Sequence, residues 1–129
     1  MSAAYAIEEF GRTLGLGALD LPPQGAIHLA MGEQRRLSIE AAGGDLLLYM
    51  TVAVPHLDNA QVLAMLQACD LRRRPPHEPD LQLARSGFGA DAQLVLLVRW
   101  PMDRLQASHL HASVQLFEHS LQQWLGLNF

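Results

Sequence analysis

Six histidines and one cysteine are the side chains of this chain best suited to hold a metal or act as a nucleophile, so their spacing is the first test of chemistry. His109 and His111 stand two residues apart. On a helix that separation turns one ring about 160° from the other, and no carboxylate completes an HExxH pattern that would bring two imidazoles and a general base onto one face. They are expected to be surface histidines. His28 lies within a strand pattern on the side of Ala26 and Ala30, half exposed, and His56 and His77 sit beside prolines in loops. Cys69 falls near the middle of an apolar helical face, where desolvation disfavours the reactive thiolate, and is expected to be a buried structural thiol. As the only cysteine it excludes an intrachain disulfide. No serine occupies a GxSxG elbow, no Walker loop is present, and Gly15, Gly17, Gly43 and Gly44 match no phosphate-binding fingerprint. Carboxylates are scattered singly or, like Glu8 and Glu9, face solvent from a helix. The expectation is a protein without catalytic residues, metal ligands or a cofactor.

The elements that would carry these residues follow from hydrophobic periodicity. Over residues 3–14, Ala3, Ile7, Phe10 and Leu14 share one helical face, with Tyr5, Glu8, Glu9 and Arg12 on the other. Gly15, Gly17, Pro22, Pro23 and Gly25 then break the chain into a loop. Ile27, Leu29 and Met31 alternate with Ala26, His28 and Ala30, and Leu37, Ile39 and Ala41 alternate with Arg36, Ser38 and Glu40. Both segments read as strands buried on one side. A third strand, residues 46–54, is apolar on both faces, so it is central or covered twice. Asp58 and Gln61 have the spacing of a capping box, with Leu57 and Val62 at the positions of a hydrophobic staple, so a helix starts at Asp58 and runs to about residue 70. Its apolar residues Val62, Leu63, Met65, Leu66 and Cys69 spread over about 160°, wider than one contact surface requires. Residues 72–80 form an arginine- and proline-rich loop, and 81–85 with 93–100 make a hairpin across a glycine-rich turn. In the last segment Leu110, Val114, Phe117, Leu121, Trp124 and Leu125 fall within an arc of about 100°, and Leu105 lies off that stripe. The helix is therefore expected to begin at Gln106, with Leu105 as a staple against Leu110. A start at Asp103, with Gln106 as its capping partner, is the alternative.

The order helix, three strands, helix, two strands, helix is incompatible with a doubly wound parallel sheet, whose strands alternate with helices. An α+β fold with an antiparallel sheet and three helices is expected, as a single domain over residues 1–129. Strands apolar on both faces, in a chain with only three helices, imply either a closed two-layer core or a second subunit, and the second subunit is the favoured reading. The composition is 50% hydrophobic, yet no uninterrupted apolar run approaches the roughly 18 residues of a membrane span. Residues 1–5 lack the basic and apolar regions of a signal peptide, which suggests a cytoplasmic protein. A formal charge of −4 and a pI near 5.8 advertise no basic face for nucleic acid. All nine cations are arginine, a bias without functional weight here.

The order of elements and several local patterns resemble class I type III secretion chaperones of the Tir chaperone (CesT) family. The resemblance runs over nearly the full length. It includes the opening helix with Phe10-Gly11-Arg12-Thr13-Leu14-Gly15-Leu16, and the meander with Leu37-Ser38-Ile39-Glu40 and Leu46-Leu47-Leu48-Tyr49. It continues with Val62-Leu63-Ala64-Met65-Leu66-Gln67-Ala68, Leu94-Val95-Leu96-Leu97 and Trp100-Pro101-Met102-Asp103-Arg104-Leu105 before the closing helix. Cys69-Asp70 stands where members often carry an asparagine, and the 72–79 loop is particular to this chain.

That resemblance implies a dimer with the second helix and nearby strands at the subunit contact, the helix through Val62, Met65, Leu66 and Cys69. It also implies an effector or other secreted partner whose largely unfolded N-terminal segment wraps the chaperone. Candidate partner-binding residues are Ile7, Phe10, Ile27, Leu29, Leu37 and Ile39. A core role fits Ile7, Phe10, Leu37 and Ile39 equally well, whereas Ile27 and Leu29 belong to a first meander strand that can be a sheet edge. Two other readings stay open: one subunit of a heterodimeric chaperone, and a small-molecule-binding or enzymatic domain using His28 or Tyr49 in a closed pocket.

Overall fold

The chain folds in the order α1 (Ala3–Thr13), β1 (Ala26–Ala30), β2 (Arg35–Ala42), β3 (Asp45–Ala53), α2 (Asn59–Ala68), β4 (Gln82–Ser86), β5 (Gln93–Pro101) and α3 (Ala107–Leu125). This is a computed structural model, and it describes residues 2–22, 25–69 and 80–127. The strands make one antiparallel sheet in the order β1-β2-β3-β5-β4. The expected α+β class and element order are therefore those of the molecule. The loop expected at 72–80 lies outside the described residues apart from Asp80.

Register explains the two faces of the sheet. Ile39 pairs with Leu48 and Leu48 with Val98, while Leu37 pairs with Met50 and Met50 with Leu96. These rows point to one side, where they are fully buried together with Phe10 of α1 and Leu110, Phe117 and Leu121 of α3. Each such side chain stabilises the fold by about 1.5–3 kcal/mol through burial. The alternate residues of β3 and β5, Leu47, Tyr49, Val95 and Leu97, are only part-buried on the other side. The two-faced strand 46–54 is thus central in the sheet, as one of its two readings required.

Helix ends follow local chemistry. Gln61 donates its backbone N–H to Asp58 Oδ1 at 2.7 Å, and the Asp58 N–H donates to Gln61 Oε1 at 3.2 Å, completing the box expected from the sequence. α3 starts after Gln106, with Leu105 buried outside it, and residues 102–104 form a separate short 3-10 turn. That turn removes the alternative start at Asp103. The buried arc of α3 also takes in Ser113 and Ser120, which apolar periodicity alone does not mark.

Two glycines are dictated by space. A Cβ on Gly11 would lie 2.5 Å from Leu19 Cγ and 2.6 Å from the Gly17 carbonyl, so its absence lets the following loop close over α1. Gly87, at φ +74°, turns the β4–β5 hairpin where a Cβ would meet the Asp91 carbonyl at 2.6 Å.

Candidate partner-binding surfaces

The edge strand β1 is the first candidate. It pairs with β2 alone, and the bonds flanking its ladder run from Met31 N–H to the Arg35 carbonyl and from Ala41 N–H to the Gly25 carbonyl. In an antiparallel ladder the pairs alternate between bonded and non-bonded, so Ile27 and Leu29 bond to β2 while the N–H and C=O groups of Ala26, His28 and Ala30 point to the open edge. Those three residues are exposed. Ile27 and Leu29 are half-buried against the core. The strand therefore presents three outward donor and acceptor pairs beside two part-covered apolar side chains.

The other residues expected at this groove separate into two groups. Ile7 is buried but forms part of the floor of a small cleft of ≈ 220 Å³ that also includes Leu19, Leu21, Pro22, Ala41 and Met102. Phe10, Leu37 and Ile39 are fully enclosed by the chain's own core and offer a partner no surface. The core role that fitted them equally well is the one their packing gives them, because β2 lies inside the sheet and Phe10 faces it from α1.

The second candidate is α2. Met65 is only 2% exposed and faces the core, with Val62 and Cys69 part-buried on the same side, whereas Leu66 is 48% and Leu63 57% exposed. The broad apolar arc thus divides into an inward edge and an outward one with no neighbour among the described residues. Met65, expected at a subunit contact, is covered by this chain's own core, and Leu63 lies with Leu66 on the outward side. Cys69 is half-buried at the C-cap rather than in the middle of a covered face. Beside α2, Arg85 Nη1 donates to Asn59 Oδ1 at 2.9 Å and its guanidinium lies 4.7 Å from the ring centre of Phe88, which is 76% exposed at the hairpin turn.

A third feature is an open cleft of ≈ 660 Å³ between α1 and the start of α3, formed by residues such as Tyr5, Glu9, Asp103, Gln106 and His109. The histidines here correct the surface expectation. His109 is part-buried and stacks on Trp100 with ring centres 4.4 Å apart and planes 11° from parallel, and His111 packs against Phe10 at 4.9 Å. The signal was present in the spacing of Gln106 and His109, which matches the two ends of a capping box.

His28 and Tyr49 do not converge on a closed pocket. His28 Nδ1 lies 2.7 Å from Ser38 Oγ across the β1–β2 pair, a bond that satisfies a fully buried hydroxyl, and neither His28 nor Tyr49 lines the clefts described here. Arg35 of β2 lies 3.7 Å from Glu118 of α3; burial pushes its guanidinium pKa below the ordinary value, and the Glu118 charge acts in the opposite direction. Among the described residues, no group of three or more His, Cys, Asp and Glu side chains could hold a metal ion, and no helix is long and apolar enough to cross a membrane.

Comparison with known proteins places this geometry. The model of the Tir chaperone protein (CesT) family matches residues 5–125. The fold is similar to the Yersinia pestis type III secretion chaperone SycH, solved with a fragment of YscM2, at a TM-score of 0.70 and 13% identity, covering 98% of this chain and 100% of that one. It is also similar to a chain of the ExsC–ExsE complex, at a TM-score of 0.65 and 21% identity over 95% of this chain and 91% of that one. A chain of the ExoU–SpcU complex from the type III secretion system of Pseudomonas aeruginosa superposes at a TM-score of 0.61 with 18% identity, over 93% and 95% of the two chains. No curated protein sequence matches this chain.

Proposed function

Because this chain belongs to the Tir chaperone (CesT) family, we propose that it is a type III secretion chaperone which binds the N-terminal segment of a secreted effector or apparatus protein. It keeps that segment soluble and largely unfolded and helps bring it to the secretion machinery. The residue 1–129 unit works in the bacterial cytoplasm as a homodimer, through binding energy alone and without bond chemistry. The observation that carries this reading is the open edge of β1, where Ala26, His28 and Ala30 offer backbone groups beside Ile27 and Leu29. An extended peptide added there would gain main-chain hydrogen bonds at about 0.5–1.5 kcal/mol each, with Ile27, Leu29 and the Ile7 cleft receiving its apolar side chains. The outward side of α2, through Leu63 and Leu66, supports a second copy as the dimer partner. SycH, solved with a fragment of YscM2, is a relative of the same fold that binds another protein.

The test is co-expression with the N-terminal segments of secreted proteins encoded beside this gene, followed by mass measurement of the purified complex and limited proteolysis of the captured segment. A dimer of this chain holding one protease-sensitive, unfolded segment is the expected product. Ile27→Asp should weaken capture at least tenfold while dimer mass and thermal melting stay nearly unchanged. If the variant folds and binds normally, the peptide site lies elsewhere; if no secreted segment is captured by the wild-type dimer, the chaperone reading fails. A product containing one copy of this chain and one different small chain would replace the homodimer with the heterodimeric form.

A further inference from the structure

The first turn of α3 is tied to the end of β5 by a closed set of contacts centred on His109. Its Nδ1 accepts the Gln106 backbone N–H at 3.1 Å, so the N-terminal donor of the helix is satisfied by an imidazole nitrogen that must carry no proton. The same ring lies flat on Trp100, whose Nε1–H donates to Ser113 Oγ at 2.8 Å, and Ser113 Oγ–H donates to the His109 carbonyl at 2.7 Å. One side chain therefore holds cap, stack and strand together.

The hydrogen bond from Gln106 requires an Nδ1 without a proton. The titratable groups lining the cleft with His109 are Tyr5 and Glu9 of α1 and Asp103 and Arg104 of the 102–104 turn. Two of those four are carboxylates, and Arg104 lies 3.9 Å from one of them. His111, the other titratable group in this part of α3, packs against Phe10. A proton on Nδ1 would set two donors, the ring N–H and the Gln106 N–H, against each other.

We infer that His109 is a proton-responsive latch between β5 and the first turn of α3, closed while Nδ1 is bare and released when Nδ1 takes a proton from solvent. Release frees the turn that walls the ≈ 660 Å³ cleft beside α1. This inference does not depend on what the protein carries.

The experiment is backbone and histidine ring nitrogen NMR on the full chain. Exchange of the Gln106 amide, corrected for the intrinsic pH dependence of exchange, should speed about tenfold between pH 8 and pH 5.5. His109→Gln supplies the usual capping-box acceptor without titrating, and its Gln106 amide should stay protected across the range. A flat profile in the wild type, or the same loss of protection in H109Q, overturns the latch. Should H109Q fail to fold, the wild-type ring at pH 8 decides: a proton on Nε2 is required, and a proton on Nδ1 overturns the inference.

Discussion

Ser113 shows how a single hydroxyl can join two elements, β5 and α3. It is fully buried, receives the Trp100 indole N–H and donates to the His109 carbonyl one turn earlier, so the hydroxyl acts as donor and acceptor at once. Ser113→Ala removes the acceptor and leaves the indole donor part-buried beside a methyl group, which should destabilise the fold by about 1–3 kcal/mol. Urea unfolding followed through tryptophan fluorescence measures this, and a variant within about 0.5 kcal/mol of the parent would mean that another group takes the indole N–H. None of this was legible from periodicity, which sorts residues by polarity and so assigned Ser113 no place in the core. The two histidines were misjudged because their ring partners come from other elements, Trp100 from the preceding strand and Phe10 from α1.

Elements whose signals are local could be read directly. The Asp58–Gln61 box depends on residues three apart and formed as expected, and the place of Leu105 off the apolar stripe located the start of α3 to within one residue, with Gln106 as its N-cap. The breadth of the α2 arc predicted two neighbours; the chain's own core covers one side, and the division into an inward and an outward side depends on where β4 and the core lie, which the helix sequence does not encode. That division gives a paired prediction. Leu66→Arg changes a half-exposed side chain and should leave the folded chain intact while converting a dimer to monomers, because a guanidinium at the contact would lose hydration worth several kcal/mol. Met65→Arg forces the same charge into a position 2% exposed and should unfold the chain. Sedimentation together with circular dichroism separates the two, and a soluble Leu66→Arg dimer of normal affinity would remove α2 from the contact.

At the scale of the whole molecule, fold class was legible because runs of alternating strands joined by short turns permit few arrangements, whereas sheet order was not. Only the pairing of β3 with β5 shows that β1 and β4 are the edges, and only the β1–β2 register shows which backbone groups of β1 face outward. This register distinguishes strand addition from capture by side-chain pockets alone. Ala30 points its N–H to the open edge, so Ala30→Pro deletes one outward donor without breaking a β1–β2 bond, a placement that edge strands tolerate. The variant should melt within a few degrees of the parent, keep its dimer mass and bind a secreted N-terminal segment about tenfold more weakly by titration calorimetry, the loss of one charge-free hydrogen bond together with the steric bulk of the ring. Unchanged affinity in a folded Ala30→Pro chain, alongside weakened binding by Ile27→Asp, would mean that the partner is held by its side chains and that the open edge of β1 stays unpaired in the complex.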